Sequence, residues 1–400
     1  QQVQEQVQQQ QQLQQELQHQ RSSTAQLFIE WDAKILSLIQ RWAGLQADEG
    51  APMLTHLPIS MGGLGVRLLS YQADVAFTAS IATANYVLAR MPNAQTFALS
   101  SSTQQRMLPW WTEADTLGGP PISLATLQGS HPFDVEEPRQ QSFPKQLQPI
   151  ADQRFRQTVA IAGLTDAARR QYLQRDALAP TAWLTAQPSN DLLVIPNVEF
   201  RTLLAARLLH TAGTLDANFL LQLCPLCKHR PVSMMPSHVY MCRELSLWRK
   251  IRHDRTVDIL SAFCPLNGTR TEVAISPTGQ QRMDLIVQLS SSRLTAIDVT
   301  IVASQHKHSD LAHTFAQAHT KKADKYNRFL NAGYFTDFHT FAINPFGSFS
   351  NEALAILKTI IPDPALRAHA RTLLSVSVAR GSAKMMACWS RRTNQLTTRG

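Results

Sequence analysis

Apolar residues recur at helical spacing over residues 25–45, directly after a tract that has no such pattern. Residues 1–24 are mostly glutamine with scattered valine, leucine and glutamate. A tract of this composition cannot build a packed core by itself, so it is either disordered or an extension of the next helix. The apolar positions that follow predict an amphipathic helix packed on the next part of the chain; they are Phe28, Trp31, Ile35, Leu38, Ile39 and Trp42.

The periodic pattern weakens between residues 57 and 223. The stretch LPISMGGLGVRLLS, which begins at Leu57, has three glycines but lacks the Lys-Ser or Lys-Thr ending of a Walker loop. We interpret it as a turn before a helix over residues 71–89, because glycines serve turns more often than phosphates. Residues 91–149 are rich in Pro, Gln, Ser and Thr and predict an irregular linker. Residues 150–223 carry helical patterns, notably over residues 198–209.

Two apolar runs around a short Ser-rich turn predict two β-strands in RMDLIVQLSSSRLTAIDVTIV, which begins at Arg282. Each strand carries an aspartate on the face opposite its apolar row. If residues 290–292 form the turn, the register sets Asp284 directly opposite Asp298, with their Cβ atoms roughly 5 Å apart. Like charges so close in a half-buried sheet are unfavourable unless a cation lies beside them. The alternative is an ordinary hairpin with both aspartates on its exposed face.

A lysine lies in the apolar stripe of the helix predicted over residues 309–330, which opens with a Ser cap and an Asp. At about 100° per residue, Lys322 falls in the middle of that stripe, and Lys325 and Tyr326 flank it. Lysine is seldom placed on a core-facing stripe without a partner, so we expect Lys322 to point at the sheet with the two aspartates. The alternative is that the aliphatic part of Lys322 lies along the helix and carries its ammonium group to the surface.

The remaining patterns complete the predicted fold. FHTFAINPFG predicts a further strand, and residues 350–380 predict one or two helices that pack on the sheet. The fold class is therefore α+β or mixed α/β. It has a helical N-terminal half and, over residues 243–390, a mixed sheet flanked by helices.

The chain is basic without being rich in charge. Its formal net charge is +9 and its charged residues are 17% of the total, a balance that suits a polyanionic partner. No run of 18 or more apolar residues occurs, so the sequence predicts neither a membrane span nor a secretory signal. Five cysteines do not suggest a disulfide framework and fit a reducing compartment. Because the chain begins with Gln rather than Met, we expect a piece of a longer reading frame.

Basic and aromatic residues offer contacts for such a partner. Trp248 and Arg249 are either a nucleic-acid platform or, as we expect, part of the core. Six further basic residues either contact DNA phosphates or form a solvated charged loop; they are His306, Lys307, His308, Lys321, Lys325 and Arg328.

Residues 224–242, CPLCKHRPVSMMPSHVYMC, have the pattern Cys-x2-Cys-x10-His-x3-Cys. Three thiolates and one imidazole close a tetrahedral zinc site and leave no position for water, so zinc would fold a knuckle rather than perform chemistry. His229 is an alternative to His238 as the fourth ligand. The alternative to a metal site is that these cysteines are simply small hydrophobic residues in the core. The predicted ligands are Cys224, Cys227, His238 and Cys242.

The aspartate pair and the lysine suggest hydrolysis. A hard divalent cation such as magnesium or manganese is the usual partner of two carboxylates. With a lysine nearby, the metal can polarise a phosphate and activate water while the lysine stabilises the developing charge. The residues therefore predict a nuclease.

In their order along the chain, these features resemble the restriction-like endonuclease domain at the carboxyl end of site-specific non-LTR retrotransposon polyproteins. The resemblance covers residues 195–350 and rests on the knuckle, the aspartate hairpin and the helix motif KKADKY. LPISMGGLGVRLLS is similar to the segment that follows the polymerase core in such elements. The resemblance implies the PD-(D/E)xK nuclease class, a mixed sheet flanked by helices and a DNA-nicking activity.

The resemblance also implies roles for single residues. It makes Asp284 and Asp298 the ligands of magnesium or manganese. It makes Lys322 or Lys325 the displaced catalytic lysine, with Tyr326 beside it. At other positions the sequence differs from simpler members of the class: Thr300 stands where they have lysine, and Met283 where they have proline.

Carried over to the whole chain, the resemblance predicts its organisation and function. Residues 25–90 would be a helical remnant after a reverse transcriptase core, and the chain has no polymerase metal site of its own. We expect an intracellular, nuclear endonuclease that binds DNA and the RNA of its parent element but no membrane. A catalytically inactive nucleic-acid-binding remnant is the alternative, and a structural zinc protein that binds other proteins is a third.

Overall fold

The structure, a computed structural model, describes residues 26–42, 52–73, 182–208, 223–229, 238–265, 268–276, 281–303 and 311–397, with scattered positions between 76 and 164. The chain divides into two compact units. One consists of Gln1–Trp42, Pro52–Pro58 and Leu64–Gly163, and the other of Ala43–Ala51, Ile59–Gly63 and Leu164–Gly400. The glutamine-rich tract, and the predicted linker apart from residues 148 and 149, lie outside the described residues.

The helix predicted near the N-terminus is confirmed as α1, over residues 26–42. Its buried Asp32 accepts hydrogen bonds from the backbone N–H groups of Leu69 and Ser70, at 2.7 and 3.0 Å, and so caps the helical turn that begins there. Much of the predicted apolar stripe is exposed, including Trp31 and Trp42. The same unit contains a 3₁₀ turn at Pro52–His56 and a π-helical turn at Arg156–Ala160.

The predicted glycine turn is confirmed, since Gly62 and Gly65 have φ values of 89° and 75°. Residues other than glycine rarely adopt a positive φ, because their Cβ atom clashes with the backbone. The helix predicted over residues 71–89 lies mostly outside the described residues.

Among its described residues, the larger unit contains six α-helices, four strands and three short 3₁₀ turns. The helices are α2 (Ala182–Thr185), α3 (Asn197–Arg207), α4 (Ser246–Ala262), α5 (Leu311–Asn331), α6 (Asn351–Ile360) and α7 (Pro364–Thr397). The strands are β1 (Thr269–Ala274), β2 (Arg282–Ser290), β3 (Arg293–Ile301) and β4 (Asp337–Ile343). The 3₁₀ turns are Ile59–Met61, Val239–Met241 and Arg243–Leu245.

The four strands form one mixed sheet in the order β1-β2-β3-β4. The first three are antiparallel, and β3 pairs with β4 in parallel. The β2–β3 turn is one residue shorter than predicted, because β2 extends to Ser290, and a register shift between Gln288 and Ser290 absorbs the difference. Leu285 pairs with Ile297, so the predicted register is confirmed in the body of the hairpin.

Helices cover both faces of the sheet. On one face, residues from α4, α6 and α7 pack on the apolar row of β2, β3 and β4, including Leu285, Ile297 and Phe341. On the other face, Tyr326 and Phe329 of α5 pack on a second core. Burial on both faces explains why the central strands read as nearly continuous apolar runs.

The fold is therefore mixed α and β, rich in helix, with a four-stranded mixed sheet. The predicted α5 and β4 are confirmed, and the helical region predicted over residues 350–380 consists of α6 and α7. Among the described residues, no helix combines the length and apolar character needed to cross a membrane.

Candidate metal cluster and acidic site

The predicted cysteine and histidine ligands lie together in one buried cluster. The ligand atoms of Cys224, Cys227, His238 and Cys242 are all within 4.8 Å of one another. Sγ of Cys227 is 3.4 Å from Nε2 of His238. His229, the alternative ligand, is exposed, so the structure selects His238. We call these four residues the Cys3His cluster.

Local backbone geometry explains how the first two cysteines converge. The N–H of Lys228 donates to the carbonyl oxygen of Cys224 at 2.7 Å, and Lys228 has a φ of 54°. The resulting tight turn aims the Cys224 and Cys227 side chains at one point. The other two ligands flank the short turn Val239–Met241.

Helix α7 closes the cluster from the other side. Nε1 of Trp389 donates to Sγ of Cys224 at 3.4 Å, and Trp389 is 2% exposed. A hydrogen bond between the thiols lowers the pKa of Cys224 and raises that of Cys242. Three thiols and one imidazole at this separation could hold a zinc ion, which would bind the thiolate forms.

A second site lies where β3 meets α5. Asp298 is 3% exposed. Its Oδ2 lies 2.6 Å from Nζ of Lys322, and its Oδ1 accepts a hydrogen bond of 2.8 Å from the hydroxyl of Tyr326. The lysine that the sequence placed on the core-facing stripe therefore does meet a carboxylate. We call Asp298, Lys322 and Tyr326 the acidic site.

The hydroxyl of Tyr326 links Asp298 to a second lysine. Nζ of Lys325 donates to this hydroxyl at 2.8 Å. Burial raises the pKa of Tyr326, and the charge of Asp298 raises it further. The phenol therefore remains a hydrogen-bond donor to Asp298 at neutral pH.

Asp284 lies near this site but is engaged from another helix. The pairing of β2 with β3 ends at Leu285, and Oδ2 of Asp284 instead accepts the backbone N–H of Val299 at 2.7 Å. The same oxygen is 3.2 Å from Nε2 of His253 on α4. The charge of Asp284 also raises the pKa of Tyr326, so both carboxylates act on one phenol.

The pattern along the chain did not reveal His253. Burial lowers its pKa, but the hydrogen bonds and charges of Asp284 and Asp254 outweigh burial and raise it to about 9. His253 therefore stands as a cation beside Asp284 at neutral pH. Only its spacing on α4, four residues before the buried Val257, could have indicated that it faces the sheet.

The structure thus brings Asp298, Lys322, Lys325 and Tyr326 into one connected group and leaves Asp284 at its border. Within the part of the chain that the structure describes, the Cys3His cluster is the one group of three or more His, Cys, Asp or Glu side chains gathered closely enough to hold a metal ion. The aspartate pair has no third such ligand there. The predicted basic corner at His306, Lys307 and His308 lies outside the described residues.

Trp248 is half-buried rather than a full member of the core. It lines an apolar groove of about 520 Å³ between α3, α4 and α7. Three basic side chains of α7 line the same groove; they are Lys384, Arg391 and Arg392. Glu199 of α3 lines it too and lies 3.6 Å from Nζ of Lys384, so Arg391 and Arg392 provide the remaining positive charge. The groove therefore combines an aromatic surface with positive charge.

No protein-family model matches this chain, and no curated protein matches it.

Proposed function

We propose that the larger unit is a metal-dependent DNA endonuclease domain of the PD-(D/E)xK type, derived from a non-LTR retrotransposon polyprotein. It would nick DNA by hydrolysing a phosphodiester bond. The Cys3His cluster would hold a structural zinc ion. Asp284 and Asp298 would bind magnesium or manganese, and the protein would act in the nucleus on DNA, with the RNA of its parent element as a second partner.

One observation carries this proposal: the buried Asp298 carboxylate meets a lysine from a different element. Within the described residues, its Oδ2 accepts no hydrogen bond of ordinary geometry, although the Lys322 ammonium is 2.6 Å away. A buried ion pair of this kind adds little net stability, so stability alone is a weak reason for it. An oxygen with an open lone pair is suited to a metal ion.

The donors fit a magnesium site that is completed by its substrate. Magnesium commonly uses one or two carboxylates and fills its other positions with water and substrate phosphate oxygens. The ion, when bound, would polarise the scissile phosphate and activate water. Tyr326 would hold Asp298 in place, and Lys322 would stabilise charge that develops on the phosphate.

The test is nicking of supercoiled plasmid by the purified chain with Mg²⁺ or Mn²⁺. We expect Asp298→Asn and Lys322→Ala each to lower the nicking rate by about 10²-fold or more, since each removes a group that acts on the reacting phosphate. Asp258→Asn and Lys358→Ala are matched controls, because both residues are exposed on helices away from Asp298. These controls should nick at the parental rate.

Two results would contradict the proposal. One is a parental chain that does not nick with either metal. The other is nicking that survives in Asp298→Asn, which would indicate a contaminating nuclease or another site.

A catalytically inactive nucleic-acid-binding module remains the second candidate, and the groove at Trp248 favours it. Bases stack on aromatic side chains while basic residues follow the phosphates, and this combination binds single strands without sequence preference. The groove supplies both surfaces with Trp248 and Arg391, and Arg391 has no partner among the described residues.

The groove is tested by binding rather than by cleavage. Trp248→Ala should weaken binding of a fluorescent single-stranded oligonucleotide by about 1–3 kcal/mol. Leu247→Ala changes an exposed apolar residue next to it and serves as the control. Salt-sensitive binding without any nicking would select the inactive module, and unchanged binding in Trp248→Ala would reject the groove.

A further inference from the structure

A third side chain of α5 lies on the stripe that carries Lys322 and Tyr326. His319 precedes Lys322 by three residues, and Lys322 precedes Tyr326 by four. At this spacing helical residues are neighbours on one surface, with Cβ atoms about 5–6 Å apart. A phosphate that contacts Lys322 would therefore lie within reach of His319.

The imidazole of His319 is held by a carboxylate. Its Nδ1 lies 2.8 Å from Oε2 of Glu352, in the first turn of α6, and 3.3 Å from Oγ1 of Thr340. Both contacts use Nδ1, and the described residues offer Nε2 no partner. The side chain is 42% exposed, so Nε2 can meet a substrate.

Glu352 is itself fixed by its surroundings. Its Oε1 accepts the backbone N–H of Thr340 at 3.2 Å, on the open edge of β4, and lies 3.4 Å from Nδ1 of His339. The hydroxyl of Ser350 caps α6 by accepting the N–H of Ala353 at 3.0 Å. The carboxylate therefore has a defined position relative to the sheet.

Strand pairing connects this histidine to the acidic site. Thr340 of β4 is the register partner of Asp298 on β3, and both side chains are buried. Neighbouring strands lie about 4.8 Å apart. His319 thus borders Asp298 on one side through Thr340 and Lys322 on the other through the helix.

We propose that His319 is the general acid of the phosphodiester hydrolysis, and that Glu352 is its positioning residue. This inference rests on the proposed nuclease function. A carboxylate on Nδ1 fixes the tautomer and orientation of an imidazole, which leaves Nε2 to transfer the proton. The geometry resembles that of other carboxylate–histidine pairs in hydrolases, on unrelated elements.

The hydrolysis conserves atoms and charge. Water attacks phosphorus and loses a proton to the solvent, the bond between phosphorus and the 3′ oxygen breaks, and Nε2 of His319 gives its proton to that oxygen. The products are a 3′-hydroxyl and a 5′-phosphate. The imidazole then regains a proton from solvent.

A pair of phosphodiester substrates isolates this role. Plasmid DNA has a poor alkoxide leaving group that needs a proton, whereas a 4-nitrophenyl phosphodiester releases a phenolate that does not. His319→Ala and His319→Gln should each lower plasmid nicking by about 10²-fold or more. Both variants should keep the parental rate on the nitrophenyl ester, whereas Lys322→Ala should lose activity on both substrates.

Further variants separate positioning from folding. Glu352→Gln should lower plasmid nicking less than His319→Ala and leave the nitrophenyl ester unaffected. His313→Ala, an exposed histidine six residues earlier on α5, is the matched control and should behave like the parent. His319→Gln keeps a donor for Glu352, so a loss of nicking in that variant cannot come from a broken contact between α5 and α6.

The outcomes distinguish the inference from the function on which it rests. Equal losses on both substrates in His319→Gln, or full plasmid nicking in it, overturn the general acid and leave the nuclease intact. A parental chain that cleaves neither substrate overturns the nuclease and the general acid together.

Discussion

At the level of single residues, the buried negative charge of Asp298 needs nearby groups that compensate it. A carboxylate removed from water loses several kcal/mol of hydration, and Lys322 and Tyr326 offset that loss. Removing one partner leaves an uncompensated buried charge, whereas neutralising both members of the ion pair does not. The pair should therefore respond to mutation in a strongly non-additive way.

Lys322→Met should lower the free energy of unfolding by about 2–3 kcal/mol, somewhat less than for a fully buried pair because the lysine is 29% exposed. Adding Asp298→Asn should recover at least half of that loss, since the buried charge is then gone. Urea unfolding of the parent, both single variants and the double variant measures the coupling. Simple additivity of the two losses would show that the ion pair does not compensate the buried carboxylate.

Asp337 gives a prediction for the dependence of stability on pH. Burial raises its pKa, but Arg293, Thr295 and Thr336 outweigh burial and hold the pKa below its ordinary value. A carboxyl with a depressed folded pKa stabilises the fold above its unfolded pKa of about 3.9, and this contribution disappears as the pH falls through the folded pKa.

Asp337→Asn should therefore cost about 1–2 kcal/mol at pH 7, through weaker hydrogen bonds with the two threonines. The difference from the parent should shrink as the pH falls below about 4. Urea unfolding at pH 7 and at a pH below about 4 measures the difference in the free energy of unfolding between the variant and the parent. The exposed Asp258→Asn is a control whose free energy of unfolding should change little at either pH. A difference that grows in acid would mean that the pKa is raised rather than lowered.

Among the elements, the contact between α4 and α7 has almost no spare room. Arg252 is 4% exposed and donates to Oγ of Ser382 at 2.8 Å. Its stem lies directly against Gly381, where an added Cβ would be 2.6 Å from Cγ of Arg252. Glycine in mid-helix is unfavourable by about 1 kcal/mol relative to alanine, so close packing explains its presence.

Gly381→Ala should consequently destabilise the protein by about 1–2 kcal/mol, because overpacking outweighs the gain in helix propensity. In an Arg252→Ala background the same change should cost less than half as much, since Cγ and Cδ are gone. A double-mutant cycle by thermal unfolding measures this coupling. Stabilisation by Gly381→Ala in the parent would show that α4 and α7 can move apart freely.

The elements also show which parts of the fold the sequence reveals. The β2–β3 hairpin was predictable because its strands are short, mostly apolar runs on either side of a Ser-rich turn, and α5 because one buried face imposes an apolar stripe on the helix. β1 was not predicted: its side chains are mostly exposed, so its pairing with β2 comes from backbone hydrogen bonds that leave no apolar pattern. Its Glu272 even adopts a φ of 51°.

The sequence also reveals one part of the candidate site and conceals another. Asp298 and Lys322 were conspicuous as charged residues within apolar patterns, and the structure joins them. His253 and Glu352 contribute through helices far away in sequence, where a single polar residue at a helix surface carries no signal. Their roles depend on tertiary packing, which no local pattern encodes.

At the scale of the whole unit, α7 connects the Cys3His cluster with the sheet. Its 34 residues would span about 50 Å. Near its start, Ala370 and Leu374 belong to the core on the sheet. Near its end, Trp389 contacts Cys224. Because one helix packs against both regions, a loss of stability in the cluster should also destabilise the sheet.

Removal of the proposed zinc ion with a chelator should lower the unfolding temperature by about 10 °C, because metal binding is coupled to folding and the loss is transmitted through α7. Hydrogen exchange should quicken in β3 as well as near the cluster. Cys242→Ser should reproduce the shift and abolish its dependence on zinc, and the half-buried Cys388→Ser should not. Exchange that quickens only around residues 224–242 would show that the sheet is independent of the cluster.

The shared helix also determines what a truncation of the chain would do. A premature stop codon at or shortly before codon 389 would leave every residue of the acidic site and all four cysteine and histidine codons intact, yet it would delete Trp389 and open the Cys224 sulfur to solvent. A reading frame that still encodes the acidic site and all four cluster residues could in this way yield a protein whose Cys3His cluster oxidises and whose sheet loosens. Loss of the proposed activity would then begin at codons that encode none of the proposed reacting groups.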